Sequence, residues 1–253
     1  MIARLAELTW PEARAAAASG TIVLFPIGST EAHGPHLPLA TDVIISEELA
    51  RRAGEALLEA GRSILIAPSL AYAVTEFAAG FCGTVSVPAE AATALVAGVC
   101  AGLQRQGFQR ICLVNSHLEP AHVATLRAAC ERVTVGGGVP VALPDCLERR
   151  WARTLTDEFK RGACHAGRYE TSLVLAARPE LVRSERSTLA PLPIDLGRAI
   201  REGVRDFGEA GAHDAYFGDP AAATVEEGDK IYRLLVDMVV TVVGEAFPLA
   251  RGH

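Results

Sequence analysis

Four side chains able to bind a metal ion, Glu31, His33, His36 and Asp42, crowd into the stretch GSTEAHGPHLPLATD, Gly28 to Asp42. A second group follows in VNSHLEP, where His117 and Glu119 repeat the i, i+2 spacing of Glu31 and His33 in the opposite order. In extended backbone, residues i and i+2 point to the same side. Each segment can therefore aim one carboxylate and one imidazole into a shared space. Asp42 adds a fifth donor; as the residue opening a helical pattern it can equally cap that helix. Mixed imidazole and carboxylate ligation suits zinc, manganese or iron(II) better than calcium or magnesium, which prefer oxygen shells. No cysteine joins the set, so a structural thiolate zinc site is excluded. Taken singly, Glu31 and His33 also suit a surface turn held by Gly34 and Pro35, and Glu119 before Pro120 suits the start of a helix. The recurrence of the pair is what points to a metal centre.

Both motifs follow short apolar runs. TIVLFPI (21–27), SILIAPSL (63–70), RICLVNS (110–116) and VPVAL (139–143) read as buried strands bounded by turns. Residues 42–61, 88–107 and 119–133 have helical spacing, and the first two close at Gly61 and Gly107, as helices often do. The alternation predicts one α/β domain over residues 1–253, with a mainly parallel sheet and helices on both faces. Beyond about residue 145 the strands stop, and helices are expected at 146–160, 168–178 and 221–247. TLAPLPIDLG (188–197) reads as a surface connection, and the first 20 residues as a short surface helix. Open parallel sheets bind ligands beyond the carboxyl ends of their strands. Glu31 and His33 leave the first strand there, and His117 and Glu119 the third.

Composition removes other classes. Of 253 residues, 50% are hydrophobic and 21% charged, which excludes a disordered chain. A net charge of -6 with scattered arginines lacks the clustered basic face of a nucleic-acid binder. No continuous apolar stretch near the N-terminus suggests a secretory signal. IYRLLVDMVVTVVGEAF is interrupted by Arg233, Asp237 and Glu245, so it suits a packed helix rather than a membrane span. The six cysteines never approach C-x-x-C spacing and read as reduced thiols of a cytoplasmic protein.

GSTEAHGPHLPLATD closely resembles the signature of the creatininase family, the creatinine amidohydrolase-like proteins. Three more segments resemble that family in the same order: VNSHLEP its Asn-Gly-His-x-Glu-Asn segment, CHAGRYETSLVLAARPELV its His-Ala-Gly-x-x-Glu-Thr-Ser helix start, and GDPAAATVEEG its Gly-Asp-Pro stretch. The resemblance implies a three-layer α/β/α fold and two divalent ions per chain. One ion would be held by Glu31, Asp42 and His117, the other by His33, Asp42 and Glu119, with Asp42 bridging. It further implies hydrolysis of a C–N amide bond in a small-molecule substrate (cyclic amide, formamide or peptide-like), with His165 moving the proton that the departing nitrogen needs. Glu170 would orient His165 or a metal-bound water, although an acid in a helix's first turn needs no such role. A homo-oligomer, as a hexamer, is also implied, with no nucleic-acid or membrane partner.

The chain departs from the family where a substrate wall is expected. Leu118 stands for an aromatic residue, Pro120 for Asn, Ser116 for Gly and Cys82 for a common proline. Trp151 sits in the wrong context to match the tryptophan that closes over creatinine. Retained ligands beside an altered wall imply the same chemistry on a different amide. His36 could be a loop stabiliser or a ligand, His122 an ordinary helix position, His213 a pocket or subunit contact, and Asp145 a minor substrate contact. Two other readings compete. A catalytically silent relative that binds a ligand or an assembly partner has no evident need for six intact site residues. A nucleotide-binding protein needs a glycine-rich phosphate loop after its first strand, and IGSTEAHG lacks the spacing and the lysine.

Overall fold

A computed structural model describes residues 2–162 and 165–248. Its sheet holds four parallel strands in the order β1-β3-β2-β4: β1 is Ala3–Arg4, β2 Ile22–Ile27, β3 Ile64–Ile66 and β4 Arg110–Asn115. Every residue of β2 is buried. A central parallel strand is covered on both faces, which is why IVLFPI runs apolar without alternation.

The two faces of β2 feed two cores. Val23, Phe25 and Ile27 pack with α3 (Ala89–Arg105) and α4 (Pro120–Val135), while α1 (Trp10–Ala18) adds Ala17. Ile22 and Leu24 pack with α2 (Thr41–Glu59), α7 (Arg168–Ala177) and α9 (Val225–Ala246). The α/β/α layering expected from the sequence is therefore present. Gly61 (φ 78°) and Gly107 (φ 98°) take left-handed conformations just past α2 and α3, where a Cβ would be strained.

Several boundaries differ from expectation. Residues 139–143 make no full strand; they pair with β4 only through Ala142 opposite Cys112, because Pro140 and Pro144 lack the N–H groups that a ladder needs. The strand expected over 63–70 shortens to Ile64–Ile66 ahead of Pro68. The single helix expected over 146–160 is two short ones, α5 (Arg149–Ala152) and α6 (Asp157–Lys160), the second capped by Thr156. The connection 188–197 ends by starting α8 (Leu196–Arg201), because Asp195 accepts the Arg198 N–H at 2.8 Å and caps it. β1 carries no pattern that the sequence reading could use, being two exposed residues on a sheet edge. Among the described residues no helix is long and apolar enough to cross a membrane, and no cysteine is in a disulfide.

The helix pair α7–α9 packs closely enough to need a glycine. A Cβ on Gly228 of α9 would land on the Ser172 carbonyl of α7 and 2.9 Å from Ala176 Cβ. The Thr224 N–H also donates to Ser172 Oγ at 3.1 Å. Gly228→Ala is expected to lower stability by about 2 kcal/mol or more, because backbone in a packed interface cannot retreat as a side chain can. Urea unfolding of the two proteins checks this.

Candidate metal centre

The centre forms where β2, β4 and the N-termini of α2 and α7 meet. Gly28 lets the chain leave β2 against the start of α2, since a Cβ there would stand 2.6 Å from the Asp42 carbonyl carbon. The loop between them is tied by the Glu31 N–H to Leu39 (3.0 Å) and the Gly34 N–H to Ala215 (2.7 Å). Asp42 lies in the first turn of α2 but does not cap it; its carboxylate accepts the Ser29 hydroxyl at 2.7 Å. The Thr75 hydroxyl donates to Glu31. After β4, Asn115 shapes the turn by donating to the His117 carbonyl (2.7 Å) and accepting its N–H (3.2 Å). Before α7, Ala166 takes a left-handed φ of 51°, and its N–H donates to Glu170 Oε2 at 2.6 Å. Glu170 thereby fixes the turn that presents His165.

Each site imidazole is tied through one nitrogen to a carbonyl that can only accept. His33 Nδ1 donates to the Glu31 carbonyl (3.2 Å), His117 Nε2 to Val74 (2.9 Å) and His165 Nε2 to Ala32 (2.9 Å). In the neutral ring the opposite nitrogen is then a lone pair facing the cluster. His33 Nε2 is buried without a hydrogen-bond partner, 3.4 Å from Asp42, 3.5 Å from Glu170 and 3.8 Å from Glu31. His117 Nδ1 lies 3.1 Å from both Glu31 and Asp42, and His165 Nδ1 lies 3.9 Å from Glu31. Among the described residues, three sets have ligand atoms mutually within 4.8 Å: Glu31–Asp42–His117, His33–Asp42–Glu170 and Glu31–His33–His165.

These groups cannot all be neutral or all be alone. Burial opposes charge on His33, yet Asp42, Glu170 and Glu31 outweigh it and push the ring up to about 10. His117 is likewise raised well above its ordinary value, with burial overcome by Glu31 and Asp42. Against the same burial, the two imidazoles hold Asp42 well below and Glu31 below the usual carboxylate range. Glu170 is pushed up to about 8, mainly by burial. Burial and neighbouring His33 lower His165 to about 4, leaving it neutral. The donor set fits divalent ions: fixed lone pairs on imidazole and buried carboxylates that require positive charge between them.

Glu119 stands apart from these sets. Its carboxylate accepts the N–H groups of Glu76 (3.1 Å) and Phe77 (3.3 Å), and it is Glu170 that lies beside His33 and Asp42. His36 is no part of them either. Its Nε2 bonds the Thr171 hydroxyl at 2.8 Å, and its ring meets Tyr216 edge-on, so it ties the loop to α7. His122 backs the His117 ring and bonds Asn115 at 3.1 Å. Asp145 pairs with Arg127 at 2.5 Å, Trp151 packs against the core, and His213 and Cys82 are exposed. Cys164 lies outside the described residues.

A cavity of about 450 Å³ opens above the cluster. Glu31, Asp42, His117, Glu170 and His165 reach it, and Leu118, Pro120 and Glu119 line it. Phe77 and Phe207 line it too, and the Phe207 ring lies 4.4 Å from that of His165. Sequence reasoning missed both, together with Ser29, Thr75 and Asn115. Ser29 and Asn115 sat inside the motifs and could have been found as hydrogen-bonding neighbours; the phenylalanines lie in no motif.

The arrangement defines an α/β protein with a candidate metal centre at the carboxyl ends of its strands. The chain belongs to the creatininase family: residues 6–243 match it, under the description creatinine amidohydrolase. It is 34% identical over 244 residues to the mycofactocin precursor peptide peptidase of Mycobacterium tuberculosis (strain CDC 1551 / Oshkosh), covering 91% of this chain and 87% of that one. With creatinine amidohydrolase of Pseudomonas putida it shares 26% identity, covering 96% of each. A crystal structure of creatinine amidohydrolase superposes with a TM-score of 0.77 at 24% identity, over 98% of this chain and 99% of that one. Solved creatininases include a manganese form and a zinc form.

An imidazole raised above neutrality carries a proton at about pH 7.5, and a ligand imidazole must not. Loading the metal-free protein with zinc in weak buffer is therefore expected to release about two protons per chain from His33 and His117, more if Glu170 also ionises. A pH indicator dye reads this directly, and no release would mean that the two rings do not become ligands.

Proposed function

We propose that this creatininase-family hydrolase cleaves an amide bond in a peptide-like or other small substrate, using two divalent ions, zinc, manganese or iron(II), held in the buried cluster. The observation that carries this reading is the fixed pair of lone pairs, His33 Nε2 and His117 Nδ1, aimed at the shared carboxylate of Asp42. Glu31, Asp42 and His117 would hold one ion, and His33, Asp42 and Glu170 the other. Glu119 supplies a further carboxylate at the cavity wall. Such ions lower the pKa of a bound water and polarise the carbonyl that it attacks.

The protein's own residues do the remainder. His165 is neutral, with Nε2 tied to Ala32, so Nδ1 is free to take a proton from the attacking water and return it to the departing nitrogen. Phe207 and Phe217 pack around that ring and keep water from its flank. Glu170 holds the Ala166 turn and with it the direction of His165. The alternative of a silent binding relative leaves this exact combination of tied tautomers without a use. A cytoplasmic setting is part of this proposal, and so is a homo-oligomer, as the family resemblance implies.

Asp42→Ala is expected to lose both ions, since it belongs to both ligand sets. His165→Ala should keep its metal and lose about 100-fold or more in turnover, the scale of a missing proton-transfer group. Elemental analysis beside an amide-hydrolysis assay separates the two roles. If His165→Ala loses its metal, His165 is a ligand instead.

The wall supports a substrate other than creatinine. Leu118 and Pro120 face the cavity with no polar group to match a ring edge, and lost polar and stacking contacts cost transition-state binding. Creatinine turnover is expected to fall at least about 100-fold below that of the best amide in a peptide-like panel. Assays of ammonia, amine and creatine release with added zinc or manganese decide it.

A further inference from the structure

The cavity is closed on one side by α8, whose Leu196, Gly197, Ile200 and Arg201 all line it. Leu196 and Ile200 continue the apolar wall of Leu118, Leu147 and Phe77. Arg201 is different: it is the only lysine or arginine on the described lining, and it is exposed at the rim. Other charged side chains of α8 are satisfied. Arg198 pairs with Glu202 at 2.7 Å, and Asp195 caps the helix. Arg201 has no ion-pair or hydrogen-bond partner among the described residues. Its Nη1 stands 3.5 Å from where a Cβ of Gly197 would begin, so the guanidinium lies along the cavity-lining face of its own helix.

An apolar sleeve with a reactive centre at its floor and one unspent cation at its rim reads as a two-point recognition site. We propose that the cavity selects amides whose apolar leaving amine carries a free carboxylate, and that Arg201 is the residue that holds this carboxylate. The class includes N-acylated apolar amino acids and the free C-terminal end of an apolar peptide. Guanidinium offers a planar donor fork that matches carboxylate geometry. In a protein of net charge -6, an anionic substrate needs such a local counter-charge to approach. The apolar wall supplies contact area, and the cation sets which end faces out. This proposal rests on the amide-hydrolase reading for its reaction, but its recognition step can be measured without turnover.

The test uses the zinc-loaded full chain and two probes, N-acetylphenylalanine and its methylamide, which differ in the terminal charge. Isothermal titration is expected to show the acid bound at least about fivefold more tightly than the methylamide, with the difference shrinking in high salt. Arg201→Met should bring that ratio to about one while zinc content stays intact, and Arg201→Lys should restore part of it. Acetate release should follow the same ratio in kcat/KM. No preference in the parent protein overturns the proposal. So does a preference that survives Arg201→Met, which would place the carboxylate on the metal centre itself. A preference that Arg201→Met abolishes, with no acetate released from either probe, upholds the recognition and counts against amide hydrolysis of this class.

Discussion

Three acidic side chains, Glu31, Asp42 and Glu170, are buried together, and the charge on Glu31 and Asp42 requires positive charge close by. An unpaired carboxylate in such a place costs several kcal/mol. The chain answers with imidazoles whose tautomers are set by backbone carbonyls at Glu31 and Val74. That choice has a second effect. Because one nitrogen of each ring is committed, the other can exchange a proton for a metal ion without the ring turning.

The scaffold exists to bring those carbonyls and carboxylates to one place. β2 and β4 run parallel side by side in register from Ile22 opposite Arg110 to Ile27 opposite Asn115, so the residues that follow each strand emerge together. α7 reaches the same spot from the far end of the chain because α9 holds it at close range through Gly228. The sheet thus delivers Glu31, His33 and His117, and the helical layer delivers Glu170. Residues with less demanding roles, such as His36 and His122, fasten these deliveries from behind.

Much of this was legible in the sequence, for identifiable reasons. Glu31, His33 and His117 stood out because strand exits give period-two spacing a meaning, and all three converge in the structure. Asp42 was open between helix cap and ligand; it makes no capping contact, and its carboxylate accepts the Ser29 hydroxyl instead. The place of Glu170 beside His33 was not legible. It depends on how α7 docks, a long-range packing matter that no local spacing records. Glu119 lines the same cavity, and its bonds to the Glu76 and Phe77 N–H groups, contacts across 43 and 42 residues, were equally invisible to local spacing. The second half of the chain was hardest because its elements are short and their ends are set by single caps such as Thr156 and Asp195. The aromatic lining from Phe77 and Phe207 arises from loops that carry no period at all.

The seat of Gly28 against the start of α2 also bears on how the centre comes together in time. It closes the segment from Gly28 to Asp42 into a compact loop whose two ends touch. Closing so short a loop costs little chain entropy, whereas recruiting His117 or Glu170 means closing loops many times longer. Contacts of low sequence separation form fastest. The Gly28–Asp42 loop is thus the part of the centre that costs least chain entropy to close: Glu31, His33 and Asp42 come together once β2 and α2 meet, whereas His117 and Glu170 require much longer closures.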